Sequence, residues 1–175
     1  MVQTNRVIII QGSSNSNGQT RMLSDFLISK GGIAHLDLAT KKINHFDYNF
    51  ENVNDDFIPI MEDIIDNYDT FIFASPVYWY TMSGIMKVFF DRLSDLLKTH
   101  KNLGSSLRGK SMAVLSSGSD SELKPGFHMP FIESANYLGL NYIGDVHGWI
   151  EGENIPDVVR SKLEAFYEVI SSTNH

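Results

Sequence analysis

Residues 7–20 read VIIIQGSSNSNGQT and lead from an apolar run, through a polar loop, into a helical pattern. The apolar run, residues 7–10, is short, β-branched and uninterrupted, which is typical of a strand buried on both faces of a parallel sheet. The loop, residues 12–20, consists almost wholly of small residues and of hydroxyl or amide side chains, so it offers many backbone N–H groups. Because it also opens a helix, whose dipole is positive at this end, the stretch predicts a phosphate site.

This loop does not match the common nucleotide-binding motifs. A P-loop requires Gly-Lys-Ser/Thr, whereas Gly18 is followed here by Gln19 and Thr20. The dinucleotide fingerprint requires a third glycine after Gly12 and Gly18, and that glycine is missing. A phosphate held without a lysine and without a magnesium-binding acid fits the terminal phosphate of a cofactor better than a phosphate being transferred. For this loop alone, an ordinary polar strand-to-helix turn stays an open alternative.

Length and composition limit the class of protein. The 175 residues, 42% of them hydrophobic, predict one domain over residues 1–175 with a full core. A net charge of −7 disfavours nucleic acid or an anionic membrane as a partner, and no apolar run is long enough to span a bilayer. The N-terminus is too polar and short for a signal peptide, and the chain has no cysteine, which excludes disulfides and thiol catalysis. We therefore expect a cytoplasmic protein.

The hydrophobic pattern alternates between strands and helices. Short apolar runs predict five strands, over residues 7–10, 33–38, 70–74, 110–115 and 141–146. Apolar residues at helical spacing predict five helices, over residues 19–30, 55–67, 85–97, 127–138 and 156–171. Ser16 or Thr20 is the expected cap of the first helix, residues 39–54 are expected to be irregular, and residues 100–108 a polar loop. The alternation predicts an α/β three-layer sandwich with a five-stranded parallel sheet in the flavodoxin-like order 2-1-3-4-5.

Three loops follow strands and are therefore expected to meet at the carboxyl edge of the sheet. We call residues 12–20 the first loop, residues 75–83 the second and residues 116–120 the third. The second loop contains the sequence PVYWY at residues 76–80, which suits the apolar walls of a flat heteroaromatic ring. The third loop offers N–H groups and hydroxyls. A ligand with one terminal phosphate and a flat redox-active ring is flavin mononucleotide (FMN), although the aromatics could instead cap the sheet or form an oligomer interface.

Several motifs together resemble the NADPH-dependent FMN reductase and NAD(P)H:quinone reductase group of flavodoxin-like proteins. They are the first loop, the sequence SPVYW at residues 75–79, and then Ser83-Gly84, Lys87 and Asp91-Arg92. The resemblance runs over roughly residues 6–149.

The resemblance implies a role for each matching position. The FMN phosphate would be held by Ser13, Asn15, Gly18, Gln19 and Thr20. The ribityl chain and the ring would lie against Pro76, Val77, Tyr78 and Trp79, and the pyrimidine side of the ring would meet Ser117, Gly118 and Ser119. Lys87, Asp91 and Arg92 are interpreted as structural or interface residues, and neither a catalytic side chain nor a metal ligand is assigned.

One position departs from the family. Many members carry an arginine where this chain has Asn15, so backbone amides, hydroxyls and Arg21 would have to meet the phosphate charge. We therefore expect a lower affinity for FMN than in such members.

The expected reaction is hydride transfer from NAD(P)H to bound FMN, followed by release of the nicotinamide and transfer to a small acceptor such as a quinone, a nitro or azo compound, free flavin or a metal oxyanion. A flavodoxin-type electron carrier without nicotinamide oxidation is the alternative.

A homodimer is also expected. Tyr80, Met82, Met86 and Phe90 are consistent with self-association, but could equally belong to the core. His128 and His147 are interpreted as structural histidines.

Overall fold

The computed structural model describes residues 6–172, and this part of the chain contains five strands and six α-helices. The strands are β1 (Val7–Gln11), β2 (Ile33–Asp37), β3 (Thr70–Pro76), β4 (Ser111–Ser117) and β5 (Asn141–Gly148). The helices are α1 (Gln19–Ser29), α2 (Phe57–Asn67), α3 (Gly84–Lys98), α4 (Lys101–Ser105), α5 (Met129–Leu138) and α6 (Asp157–Ser172). A short 3-10 turn, Leu38–Thr40, follows β2.

The strands form one parallel sheet in the order β2-β1-β3-β4-β5, which confirms the predicted topology. The chain moves outward from β1 to β2, then returns to the other side of β1 and continues through β3, β4 and β5. The switch point lies between β1 and β3, where Gln11 is level with Ala74. In sheets of this kind, ligands bind beyond the carboxyl ends of the strands at the switch point.

Alternate residues of the central strands pack against two different helical layers. Ile8 and Ile10 of β1 belong to a buried cluster with residues of α2, α3 and α5. Val7 and Ile9 belong to a second cluster with residues of α1 and α6. Because side chains alternate along a strand, an uninterrupted apolar run fills both layers. The result is the predicted three-layer sandwich.

Two local predictions were wrong. Residues 100–108 were expected to form a loop but contain helix α4, which packs so closely on α3 that a Cβ at Gly104 would lie 2.4 Å from the carbonyl oxygen of Leu96. A helix of five residues is too short to produce an apolar periodicity. The first helix is preceded by Gly18 at its N-cap, and neither Ser16 nor Thr20 caps it.

The segment between β2 and α2 is irregular, as predicted, and a buried arginine of α3 fixes it. The Arg92 side chain is fully buried; it contacts Asp55, donates to Asp95 at 2.8 Å and donates to the carbonyl oxygens of Asn44 (3.1 Å) and Asn52 (3.2 Å). This geometry agrees with the structural interpretation of Arg92.

Burial alone would raise the pKa of the Asp55 carboxyl. The hydrogen bonds from Arg92 and from the N–H groups of Asn44 and Phe57 outweigh it, so that the pKa lies below its ordinary value. Asp55 is therefore ionised at neutral pH.

Candidate functional site

The first loop presents backbone N–H groups that the protein itself does not use. Within residues 6–172, the N–H groups of Ser14, Ser16, Gln19 and Thr20 have no protein acceptor. Helix α1 begins at the end of this loop without a side-chain cap. A phosphate group accepts hydrogen bonds from uncapped N–H groups at a helix N-terminus. The loop therefore fits the phosphate of FMN by its donors alone.

The side chains of the loop fold inward and stabilise its shape. The Ser13 hydroxyl donates to the carbonyl oxygen of Asn15 at 3.1 Å. The Asn15 side-chain oxygen accepts from the N–H of Asn17 at 3.1 Å. A Cβ at Gly18 would lie 3.0 Å from the Asn15 side-chain nitrogen, so a larger residue there would have to displace the Asn15 amide. Ser13, Asn15 and Gly18 thus shape the loop.

Arg21 does not extend freely toward the first loop. Its Nε donates to Asp25 at 2.7 Å, and its Nη1 lies 3.1 Å from Nδ1 of His35 on β2. The guanidinium is therefore held along α1 and against β2. Charge compensation for a phosphate falls to the N–H groups, the hydroxyls and the dipole of α1.

The second loop holds two aromatic side chains on an unusual backbone. Tyr78 and Thr81 exchange backbone hydrogen bonds of 3.0 and 3.1 Å, and the two residues between them have positive φ, 49° at Trp79 and 66° at Tyr80. This is the backbone of a type I′ turn, which normally takes Asn or Gly at these positions. The Trp79 side chain is nevertheless 91% exposed. An aromatic pair kept on a costly backbone and in contact with water indicates a binding role.

The imidazole ring of His147 contacts both ends of the third loop. The His147 Nδ1 lies 2.8 Å from the Ser116 hydroxyl, and its Nε2 lies 3.0 Å from the carbonyl oxygen of Asp120. A Cβ at Gly118 would lie 2.8 Å from the same ring. Partial burial lowers the pKa of His147. Both ring nitrogens are engaged, so His147 is a structural residue.

His128 is the other histidine near this edge. Its Nε2 lies 3.4 Å from Asp145 but makes no hydrogen bond to any residue of 6–172. Partial burial lowers its pKa, although the Asp145 charge opposes the shift. His128 does not line the cavity described below.

Side-chain and backbone contacts join the three loops. The Ser14 hydroxyl lies 3.2 Å from the Tyr78 hydroxyl, which joins the first loop to the second. The Thr20 and Ser117 hydroxyls lie 2.7 Å apart in the interior, which joins the first to the third. The Val77 N–H donates to the Ser117 carbonyl oxygen at 2.8 Å. The loops thus form one continuous site, as the strand pattern predicts.

A cavity of about 290 Å³ lies between the second and third loops. Its lining consists of Val77, Trp79, Tyr80, Gly118, Ser119, Asp120, Glu122 and Lys124. Pro76 is buried at the end of β3, while Tyr78 and Ser117 make the contacts between loops. Tyr80 belongs to the aromatic stretch noted in the sequence but not to the FMN contacts that the resemblance implies. Sequence reasoning missed Glu122 and Lys124, for which the sequence SDSELK at 119–124 was the available signal.

The apolar residues considered for self-association are mostly core. Met82, Met86 and Phe90 are buried inside this chain, at 9% exposure or less, whereas Tyr80 is 65% exposed. Tyr80 is therefore the one member of that group available to a partner.

The parallel sheet, the switch point and the phosphate-type loop define a flavodoxin-like α/β protein with a mononucleotide site. No group of residues within 6–172 has the arrangement of a metal site, and no helix there combines the length and apolar character needed to cross a bilayer.

Comparison with known proteins agrees with this class. Residues 5–137 match the family described as NADPH-dependent FMN reductase. The chain belongs to this family, and it is an oxidoreductase whose cofactor is FMN. YwqN of Bacillus subtilis (strain 168), provisionally named an NAD(P)H-dependent FMN-containing oxidoreductase, is 28% identical over 167 residues, which cover 89% of this chain and 90% of YwqN.

Solved structures share the fold at low identity. The Trp repressor binding protein from Bacillus subtilis has a TM-score of 0.72 at 23% identity, covering 96% of this chain and 99% of that one. An FMN-dependent NADH-azoreductase from Bacillus anthracis, in complex with FMN, has a TM-score of 0.69 at 12% identity, covering 95% and 98%. An NADPH-quinone reductase from P. pentosaceus has a TM-score of 0.66 at 15% identity, covering 98% and 100%.

Proposed function

We propose that this protein passes hydride from NAD(P)H through bound FMN to a small acceptor, which is a quinone, a flavin, a nitro or azo compound or a similar molecule. The observation that carries the proposal is the junction of the three loops at the switch point, with free N–H groups on one side and exposed aromatic rings on the other. The names of similar structures, a quinone reductase and an azoreductase, support the range of acceptors.

Each of the three loops is assigned to a different part of FMN. The first loop holds the phosphate through its free N–H groups and through its residues Ser13, Asn15, Gly18, Gln19 and Thr20. The second loop lines the ribityl chain and the ring through Pro76, Val77, Tyr78 and Trp79. The third loop meets the pyrimidine edge through Ser117, Gly118 and Ser119. The N–H groups of Ser119 and Asp120 have no acceptor within residues 6–172, which supports this assignment.

Bound FMN supplies the capacity to accept and donate hydride. The chain contributes position, since residues of the second and third loops both line the cavity. No side chain is assigned as an acid or base for the first half-reaction. We also propose a cytoplasmic homodimer of one flavodoxin-like FMN-binding domain (1–175), in which the exposed Tyr80 is a candidate contact.

An absorbance experiment tests the proposal. Purified protein is mixed with FMN, desalted and then treated anaerobically with NADPH or NADH. Flavin bands that survive desalting and bleach with the nicotinamide support the reductase, and the acceptor is then screened. Retained flavin that does not bleach contradicts it in favour of an electron carrier. Absence of both retained flavin and turnover with added FMN contradicts the cofactor site.

A further inference from the structure

We propose that Arg21, His35 and Gln11 form a positioning chain that keeps the first loop in its anion-binding shape. The inference rests on the proposed function, because that function assigns the first loop to the phosphate of FMN. Gln11 and His35 are not among the predicted phosphate contacts, and Arg21, which was expected to help meet the phosphate charge, contacts Asp25 and His35 instead. They act on the loop from the end of β1, from β2 and from α1.

The chain of contacts ends on a backbone carbonyl in the middle of the loop. Gln11, the last residue of β1, is fully buried. Its amide nitrogen donates to the carbonyl oxygen of Ser16 at 3.3 Å, and its amide oxygen lies 3.2 Å from Nε2 of His35. A buried amide satisfied on both sides holds its partners in one arrangement, because an unmade hydrogen bond there is costly.

The Ser16 carbonyl sets the direction of the hydrogen bonds of Gln11 and His35. A carbonyl only accepts, so the Gln11 amide nitrogen faces it and the Gln11 amide oxygen faces His35. That oxygen also only accepts, so the His35 ring carries a proton on Nε2 and donates it to Gln11. The Arg21 Nη1 lies 3.1 Å from Nδ1 and 3.5 Å from Nε2 of the same ring, so the guanidinium packs against the face of the ring and holds it in place. Asp25 keeps Arg21 in place through an ion pair of 2.7 Å.

This arrangement fixes the peptide between Ser16 and Asn17 at both ends. The Ser16 carbonyl points to Gln11, while the Asn17 N–H donates to the Asn15 side chain at 3.1 Å. A Ser16 carbonyl without its partner could turn toward the anion, where its partial negative charge would oppose binding. The positioning chain therefore keeps an acceptor out of the phosphate site and leaves donors in it.

Protonation of His35 weakens the chain, because it places a positive charge on the ring directly against the Arg21 guanidinium. Partial burial and the Arg21 charge lower the pKa of His35, against the opposing effect of Asp37 and Asp25, so the ring is neutral at pH 7. The other titratable groups around the cavity that His35 lines are Lys41, Asp56, Asp63 and Tyr68.

Equilibrium binding of FMN and of riboflavin, which lacks the phosphate, tests the proposal without any turnover. Dissociation constants are measured by flavin fluorescence on the apoprotein. We expect Gln11→Met and His35→Leu to weaken FMN binding about tenfold, the effect of one lost buried hydrogen bond, and riboflavin binding by less than about twofold. His35→Gln can still donate to the Gln11 oxygen, so we expect it to retain FMN binding. Ser24→Ala, which removes a buried hydrogen bond of 2.9 Å inside α1, is the matched control and is also expected to retain it.

The outcomes separate this inference from the proposed function. If the wild type binds FMN no better than riboflavin, the phosphate role of the first loop is wrong. If the wild type prefers FMN and Gln11→Met keeps that preference, only the positioning chain is wrong. Should Gln11→Met fail to fold by circular dichroism, the pair His35→Leu and His35→Gln decides, and equal FMN binding by these two overturns the inference.

A pH series provides a readout that a purely structural role would not change. The preference for FMN over riboflavin is followed from about pH 8 to about pH 5 in the wild type and in His35→Gln. The phosphate of FMN titrates near pH 6 in both proteins, so it cancels in the comparison. We expect the wild type to lose its preference more steeply as the pH falls. Parallel curves would overturn the part of the inference that couples His35 to Arg21.

Discussion

Two loops at the same edge of the sheet differ in how their backbone N–H and C=O groups are hydrogen-bonded. In the segment between β2 and α2, the carbonyls of Asn44 and Asn52 receive the buried guanidinium of Arg92, and the carboxylate of Asp55 receives two backbone N–H groups. In the first loop, the side chains of Ser13 and Asn15 bond to backbone groups of the loop itself, and several N–H groups have no acceptor within residues 6–172. The segment between β2 and α2 therefore satisfies its own backbone, and we call it the closed segment, whereas the first loop leaves donors open to a ligand.

This difference distinguishes structural residues from candidate binding residues among the motifs that resemble the family. Arg92 is charged and lies in the motif helix, yet all its partners are internal. The first loop has no cation of its own, yet it offers donors to an anion. A charged residue in a motif is therefore a weaker indication of binding than a backbone donor without a partner.

The largest effect is expected from a substitution that removes the buried guanidinium of Arg92 from the closed segment. Arg92→Met removes the buried cation and leaves Asp55 as an uncompensated buried charge, which should lower the free energy of unfolding by about 3–5 kcal/mol. Urea denaturation measures the loss. Lys87→Ala, which removes the exposed ion pair with Asp91, is the control and should cost less than about 1 kcal/mol. Equal costs for the two variants would contradict the closed-segment interpretation.

The difference in unfolding free energy between the wild type and Arg92→Met should depend on pH in the acid range. The pKa of Asp55 is lowered in the folded state, so its stabilisation is present above the ordinary value of 3.8 and is lost as the pH falls through the lower folded value. The difference in stability between the wild type and Arg92→Met should therefore narrow below about pH 4. Urea denaturation at a series of acid pH values measures it, and a constant difference would show that another group carries the effect.

A smaller effect is expected where the first loop meets α3. A Cβ at Gly12 would lie 2.9 Å from Met86 Cβ and 3.1 Å from its Cα, so Gly12→Ala must displace the helix or the loop. We expect a loss of about 1–3 kcal/mol in unfolding free energy, together with weaker FMN binding. Gly84→Ala has open space around it and is the matched control. Denaturation and flavin fluorescence measure both, and a neutral Gly12→Ala would mean that the junction is adaptable.

The smallest effect is expected at the aromatic turn, and it has the opposite sign for stability. Asn tolerates positive φ better than Trp, so Trp79→Asn should stabilise the apoprotein by up to about 1 kcal/mol. The same change removes a wall of the cavity and should weaken FMN binding several-fold. Thermal unfolding and fluorescence titration measure the two effects. Tyr137→Ala, at an exposed aromatic outside the site, should change neither by much; a Trp79→Asn protein that binds FMN normally would remove Trp79 from the site.

Much of the fold could be predicted because its signals are local. The uninterrupted run at residues 7–10 required burial on both faces, and the alternation of strands and helices led to the parallel order. The short helix α4 was missed because five residues are too few to show a helical spacing of apolar residues. The predicted cap of α1 was wrong because Gly18, which has no side chain to cap with, occupies the N-cap position. The three loops could be placed at one edge because parallel strands end there, but the contacts between them could not.

The strand pattern and the polar character of the first loop could be predicted, because they depend on spacing along the chain. The partners of the polar side chains became visible only in the folded protein. Arg21 lies next to the first loop in sequence, yet its guanidinium contacts Asp25 and His35. Gln11 reads as the end of a strand, yet it holds the carbonyl of Ser16. A hydrogen bond depends on distance and direction in space, and the chain brings those groups together only when the sheet has formed.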